Sequence, residues 1–144
     1  MGPTKRGKGT KIMAVADRAG LPVAVHLASA SPNEVTLVKP TLDAGFLPDD
    51  PERLIGDKAY DSDPLAEKLG QVGIELMAPN RTNRRKKTQD GRSLRRSCRR
   101  WKIERRFAWL QNFRRILVRY DFDVMNYLGF VQLGCIVILM RRCL

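Results

Sequence analysis

Cysteine is scarce in this chain and histidine scarcer: Cys98, Cys135 and Cys143 form no CxxC pair, and His26 is the single histidine. That pattern supports neither a zinc site nor a disulfide framework. The cysteines read as reduced residues, Cys135 as a small core side chain within an apolar run, and His26 as an ordinary strand residue. A long apolar run is also missing. The best candidate, residues 127–140, covers 14 positions and includes Gln132 and two glycines. A bilayer core needs ~20, so the segment reads as a buried helix. No basic-then-apolar leader opens the chain, and a cytosolic location is expected. Internal repeats and low-complexity tracts are absent. Acid is in short supply too: 15 Asp and Glu face 27 Lys and Arg, for a formal net charge of +12. Such an excess points to a polyanionic partner, either nucleic acid or an anionic membrane surface.

What is present fits one α/β domain over residues 1–144, with 43% hydrophobic and 29% charged residues, a balance close to that of ordinary globular chains. Charge is segregated along it. Eight acids fall within residues 43–67, whereas residues 81–106 carry thirteen basic residues and only two acids, Asp90 and Glu104. Residues 2–9 are basic and glycine-rich and read as a loop. Residues 10–16 and 21–28 read as a β-hairpin turned at Gly20, with Pro22 at an edge or opening the strand. A helix start at Ser31-Pro32-Asn33 leads into residues 34–42, where Pro40 predicts a short or kinked helix. Residues 53–57 form an apolar strand ending in Asp57, and Asp63-Pro64 opens a helix to about Gly70, with Asp63 as its cap. Residues 74–78 supply a further strand. Residues 81–94 lack periodicity and read as a loop, residues 97–119 as a helix with Ile103, Phe107, Leu110 and Leu117 on one face, and residues 123–142 as a last helix. This order predicts a mixed sheet with helices on its faces.

Two carboxylates stand out. Asp57 would project at the carboxyl end of a strand, where open α/β sheets place their sites, although a carboxylate there can also do no more than cap the next turn. Glu104 lies beside the apolar stripe of its helix, and its alternative is a surface ion pair with Arg100. Read together, Gly56-Asp57-Lys58-Ala59-Tyr60-Asp61 and Arg100-Trp101-Lys102-Ile103-Glu104-Arg105-Arg106-Phe107-Ala108-Trp109-Leu110 resemble bacterial insertion-sequence transposases of the Asp-Asp-Glu type. The segments residues 2–9 and Asp17-Arg18-Ala19-Gly20-Leu21-Pro22 look like the second and third strands of their catalytic domain, so the resemblance covers nearly the whole chain.

The resemblance implies a ribonuclease H-like mixed sheet with flanking helices, entered after its first strand and after the first of the family's three catalytic carboxylates, an aspartate. It implies Asp57 and Glu104 as catalytic, metal-binding residues for Mg²⁺ or Mn²⁺. Two such ions can activate the attacking oxygen and stabilise the leaving one in strand cleavage and transfer. Arg81, Arg84, Arg85, Lys86, Lys87, Arg95, Arg96, Arg99 and Arg100 are the candidate phosphate contacts on the DNA of element ends and target. Assembly as an oligomer on DNA, and an upstream-encoded segment carrying the missing aspartate, follow from the same likeness. Ser97, where the family has tyrosine, and Gln111, where a basic residue is frequent, depart from the pattern. Trp101, Phe107 and Trp109 read as core packing, and Tyr60 as a turn aromatic packing locally. The competing reading is a truncated remnant, or a basic protein that binds nucleic acid by charge alone.

Overall fold

A computed structural model describes residues 2–4, 7–84, 108 and 110–143. The chain folds as two compact units, one formed by Met1–Leu47 with Lys102–Leu144 and the other by Pro48–Trp101. Both mix strands and helices, so the chain is α/β.

The first unit is built on an antiparallel sheet in the order β1 (Gly2–Thr4), β2 (Gly7–Ala16), β3 (Pro22–Ser29). The hairpin is where the sequence places it. Gly20 adopts φ 83°, the left-handed conformation that favours glycine. The Asp17 carboxylate accepts the Leu21 N–H at 2.7 Å and closes the turn. Pro22 opens β3 opposite Ala16, beside a register shift at Val15/Ala16, a place where a missing N–H costs little. β1 corrects the expected loop over residues 2–9: Gly2 pairs with Gly9 and Thr4 with Gly7.

Both faces of this sheet are covered, because Ala24 and Val25 are both buried and successive strand side chains point to opposite sides. Helix α1 (Glu34–Asp43) packs on β2 and β3 and buries Leu37, Val38, Thr41 and Leu42. Asn33 caps it by accepting the Val35 N–H at 3.1 Å. Thr41 tolerates burial because its hydroxyl donates to the Leu37 carbonyl at 2.6 Å. The helix continues through Pro40, which is exposed, so water can serve the Thr36 carbonyl that Pro40 cannot bond.

On the Val25 face, Ile12, Ala14 and Leu27 pack with the last helix. The expected helix over residues 97–119 lies largely outside the described residues. Where described, it is interrupted: Phe113 is extended (φ −84°, ψ 112°) and precedes the separate turn α3 (Arg114–Leu117), α2 (Asp63–Gln71) being the helix of the second unit. That break turns Leu110 and Ile116 into the core and leaves Leu117 60% exposed, so Leu110 and Leu117 do not share the one face that their spacing predicts. α4 (Val124–Cys143) matches the last helix read over residues 123–142. Its stripe Tyr127, Val131, Cys135 and Ile138 is buried, at the i, i+4 and i, i+3 spacings of one helix face. Gly134 admits the neighbouring turn closely: a Cβ there would meet Ile116 Cδ1 at 2.8 Å. By length and composition an 18-residue window of α4, Val124–Arg141, could cross a membrane, but its buried stripe is spent on the sheet.

The second unit has its own sheet. Strands β4 (Arg53–Ile55) and β5 (Glu75–Met77) pair in parallel, joined by a 3₁₀ turn (Lys58–Tyr60) and by α2 (Asp63–Gln71). Among the described residues the strands thus form a three-stranded and a two-stranded sheet, not the single mixed sheet expected from element order. α2 begins at Asp63 with Ser62, not Asp63, in the cap position. It ends in a glycine-terminated motif: Gly73 has φ 80°, and the Ile74 N–H donates back to the Leu69 carbonyl at 2.9 Å. Leu69 and Ile74 are both buried and with Leu65, Met77 and Ala78 form this unit's core.

Candidate functional site

The Asp57 turn grows out of β4. Beyond Ile55 the Gly56 N–H donates to the Met77 carbonyl at 2.9 Å and prolongs the parallel pairing by one residue. Asp57 therefore stands two residues past the strand, at its carboxyl end, in extended conformation (φ −89°, ψ −174°). Its Oδ1 accepts the Ala59 N–H at 2.7 Å, and its carbonyl accepts the Tyr60 N–H at 3.1 Å. The capping role is thus real. Tyr60 packs locally, as the sequence suggests, with its side chain against Gly56. Among the described residues the Ala59 amide is the single hydrogen-bond partner of this half-buried carboxylate, and it engages one oxygen.

The neighbouring acids are differently placed. Asp61 has a side chain only 4% exposed. It accepts the Arg81 N–H on Oδ2 at 2.7 Å and the Arg84 guanidinium on Oδ1. Arg84 reaches Asp63 Oδ1 with its other terminal nitrogen. The Arg81 guanidinium donates to the Lys58 carbonyl at 3.2 Å and to the Ala59 carbonyl at 2.8 Å. The hydrogen bond to Asp63, with the charge of Asp61, pushes the Arg84 pKa above its ordinary value. Asp61 and Asp63 therefore share one fixed cation. Among the described residues, Asp57 is the acid of this turn that meets no cation, and its Oδ2 is unengaged.

Arg81 and Arg84 are the two proposed phosphate contacts that the structure describes, and both are turned onto the 58–63 segment. Sequence reasoning missed this pairing. The Asp61–Arg84 bridge spans 23 residues, and no local periodicity signals it. Glu104, Arg85, Lys86, Lys87, Arg95, Arg96, Arg99 and Arg100 lie outside the described residues, as do Ser97, Trp101, Phe107 and Trp109. The described residues contain no group of three or more His, Cys, Asp or Glu able to hold a metal ion. Asp57 fits as one ligand of an oxygen-preferring divalent ion, on the chemistry of its unengaged oxygen. His26 is a half-buried strand residue opposite Met13. Cys135 is buried, and desolvation pushes its thiol up to about 11, which makes it a poor nucleophile.

Residues 2–139 match the family described as Transposase DDE domain. The chain is 33% identical, over 94% of its own length, to a Burkholderia cepacia protein named "Putative transposase for insertion sequence element IS402". It spans about 65% of that relative's length. No solved structure matches.

Proposed function

The chain belongs to the transposase DDE domain family, and on that premise we propose that it is the catalytic portion of an insertion-sequence transposase. In this reading the fold is ribonuclease H-like and the protein is cytosolic. Its substrates are the DNA of a mobile element's ends and the target DNA, on which it assembles as an oligomer. The observation that carries the reading is the placement of Asp57 at the carboxyl end of β4, with one carboxylate oxygen left unbonded among the described residues while Asp61 and Asp63 are held by Arg84.

Asp57 and Glu104 are the proposed ligands of Mg²⁺ or Mn²⁺. When bound, such ions lower the charge barrier to in-line displacement at phosphorus. The chain's own part is to hold Asp57 in place. Capping by the Ala59 amide fixes the carboxylate rotamer, and the Gly56–Met77 hydrogen bond ties the turn to the sheet. A group so restrained loses little freedom when it meets its ligand. Residues 85–106, with Arg85, Lys86, Lys87, Arg95, Arg96, Arg99 and Arg100, supply the charge that holds the phosphate backbone.

The test is metal-dependent cleavage and joining of element ends by a transposase that contains this segment. Asp57→Asn and Glu104→Gln each remove a charge with little change of shape, so both rates should fall by orders of magnitude while DNA binding persists. Normal rates in either variant would remove that residue from the catalytic set. A parent protein that binds DNA and never cuts would favour the charge-only binder instead.

A further inference from the structure

We propose that Arg81 and Arg84 are positioning residues for the Asp57 turn and not phosphate contacts, an assignment that rests on the reading of Asp57 as a metal ligand. The head of the basic segment is folded back on the turn and clamps it from two sides. Arg81 spends its backbone N–H on Asp61 and its guanidinium on the Lys58 and Ala59 carbonyls. Those are the carbonyls of the 3₁₀ turn that Asp57 caps. Arg84 bridges Asp61 and Asp63, and so joins the exit of that turn to the first residue of α2.

The geometry separates these two arginines from the rest of the segment. A guanidinium has five N–H donors in a planar fork. Arg84 directs both terminal nitrogens at carboxylates, and its side chain is only 16% exposed. A phosphate would have to displace two anions to reach it. Asp61, with its side chain 4% exposed, would then be left buried without its cation, which is strongly unfavourable. The same clamp restrains Asp57 indirectly. The Ala59 residue that donates its N–H to Asp57 Oδ1 accepts from the Arg81 guanidinium with its carbonyl, so loosening Arg81 or Arg84 frees the peptide units that orient the carboxylate.

The experiment uses the full chain and three readouts: amide exchange at Ala59, the salt dependence of binding to duplex DNA, and Mn²⁺ broadening of the resonances of residues 57–60. Arg84→Gln should speed Ala59 exchange at least tenfold and raise the Mn²⁺ concentration for half-maximal broadening several-fold. The slope of log affinity against log salt should stay that of the parent. Arg84→Lys keeps the charge but cannot span two carboxylates, so it should restore little. Asp61→Asn, milder for folding, should reproduce the Arg84→Gln exchange effect in a correctly folded chain. Unchanged Ala59 exchange in both Arg84→Gln and Asp61→Asn, or a salt slope reduced by about 0.9 in Arg84→Gln, as loss of one phosphate contact requires, would overturn the assignment. If the parent shows no Mn²⁺ broadening while Ala59 exchange responds as expected, it is the metal role of Asp57 that fails, and the clamp stands.

Discussion

Tyr60 sits directly over Gly56: a Cβ at residue 56 would stand 2.9 Å from Tyr60 Cβ and 2.9 Å from its Cδ2. The first of those atoms is anchored to the backbone and cannot swing away. Gly56→Ala must therefore displace the 3₁₀ turn or the end of β4, and overpacking of this kind costs about 1–3 kcal/mol. Denaturant unfolding followed by amide exchange in β4 and β5 should show that loss. A variant as stable as its parent would mean that the turn has slack the packing does not suggest.

Two glycines of α4 make opposite demands. Around Gly129 a Cβ would meet nothing within 4 Å, whereas at Gly134 it would lie 2.8 Å from Ile116 Cδ1 and 3.2 Å from Leu110 Cδ2. Replacing glycine by alanine inside a helix gains roughly 0.5–1 kcal/mol. Gly129→Ala should realise that gain in a thermal or denaturant melt. Gly134→Ala has the same helical advantage but must push aside two buried side chains, so it should fall below Gly129→Ala by about 1 kcal/mol or more. Equal gains at both positions would show that α3 does not pack as closely on α4 as these distances require.

The contrast between β2–β3 and α3 shows what a sequence can disclose. The hairpin was legible because its signals are local: alternating runs, Gly20 for a left-handed turn, and Pro22 at a strand start. The place of Asp57 at the carboxyl end of an apolar strand was legible for the same reason, although the strand itself stops at Ile55. The break at Phe113 was not, since Leu110 and Leu117 keep helical spacing through it. Tertiary packing chooses Ile116 for the core instead. β1 was hidden in a glycine-rich segment with no side-chain pattern, and the separation of the strands into two sheets depends on pairings that order alone does not specify. Arg81 and Arg84 illustrate the hardest case. Their charge is legible in the sequence, while the hydrogen bonds to Lys58, Ala59, Asp61 and Asp63 depend on folding of residues 20 to 23 positions apart.

Alkaline pH should weaken the first unit through Cys135 and Tyr127. Burial raises the Cys135 thiol from 9.0 to about 11. It also raises the Tyr127 phenol, against a smaller opposing effect of the Arg119 charge. The Tyr127 hydroxyl donates to the Ile116 carbonyl at 2.7 Å, a bond that phenolate cannot make. In each case the unfolded chain releases its proton first, so the folded state binds more protons and stability falls as pH rises. For Cys135 the contribution is intact below about pH 8 and lost between about 9 and 11, amounting to roughly 2–3 kcal/mol at most. Melts across this range should decline in the parent and less steeply in Cys135→Ala, whatever that variant loses at neutral pH. Parallel curves would show that the thiol titrates normally.

Asp57 carries two duties that substitution can separate. Its Oδ1 caps the 3₁₀ turn through the Ala59 amide at 2.7 Å, and its charge is the one proposed to hold a divalent ion. Asparagine keeps an acceptor oxygen of the same reach and caps about as well as aspartate, whereas alanine offers none and loses about 0.5–2 kcal/mol at such positions. Asp57→Asn should therefore leave the unfolding free energy within about 0.5 kcal/mol of the parent, and Asp57→Ala should lower it by about 1 kcal/mol. Metal binding should not follow that order: neither variant retains the anionic oxygen, so both should lose Mn²⁺ broadening of the turn to the same extent. The pairing of the two measurements is what decides. If asparagine preserves both stability and Mn²⁺ affinity, Asp57 is a cap and nothing more. If asparagine destabilises the turn as much as alanine does, the carboxylate charge itself holds the turn, and the loss of metal in either variant would no longer distinguish a ligand from a structural anion.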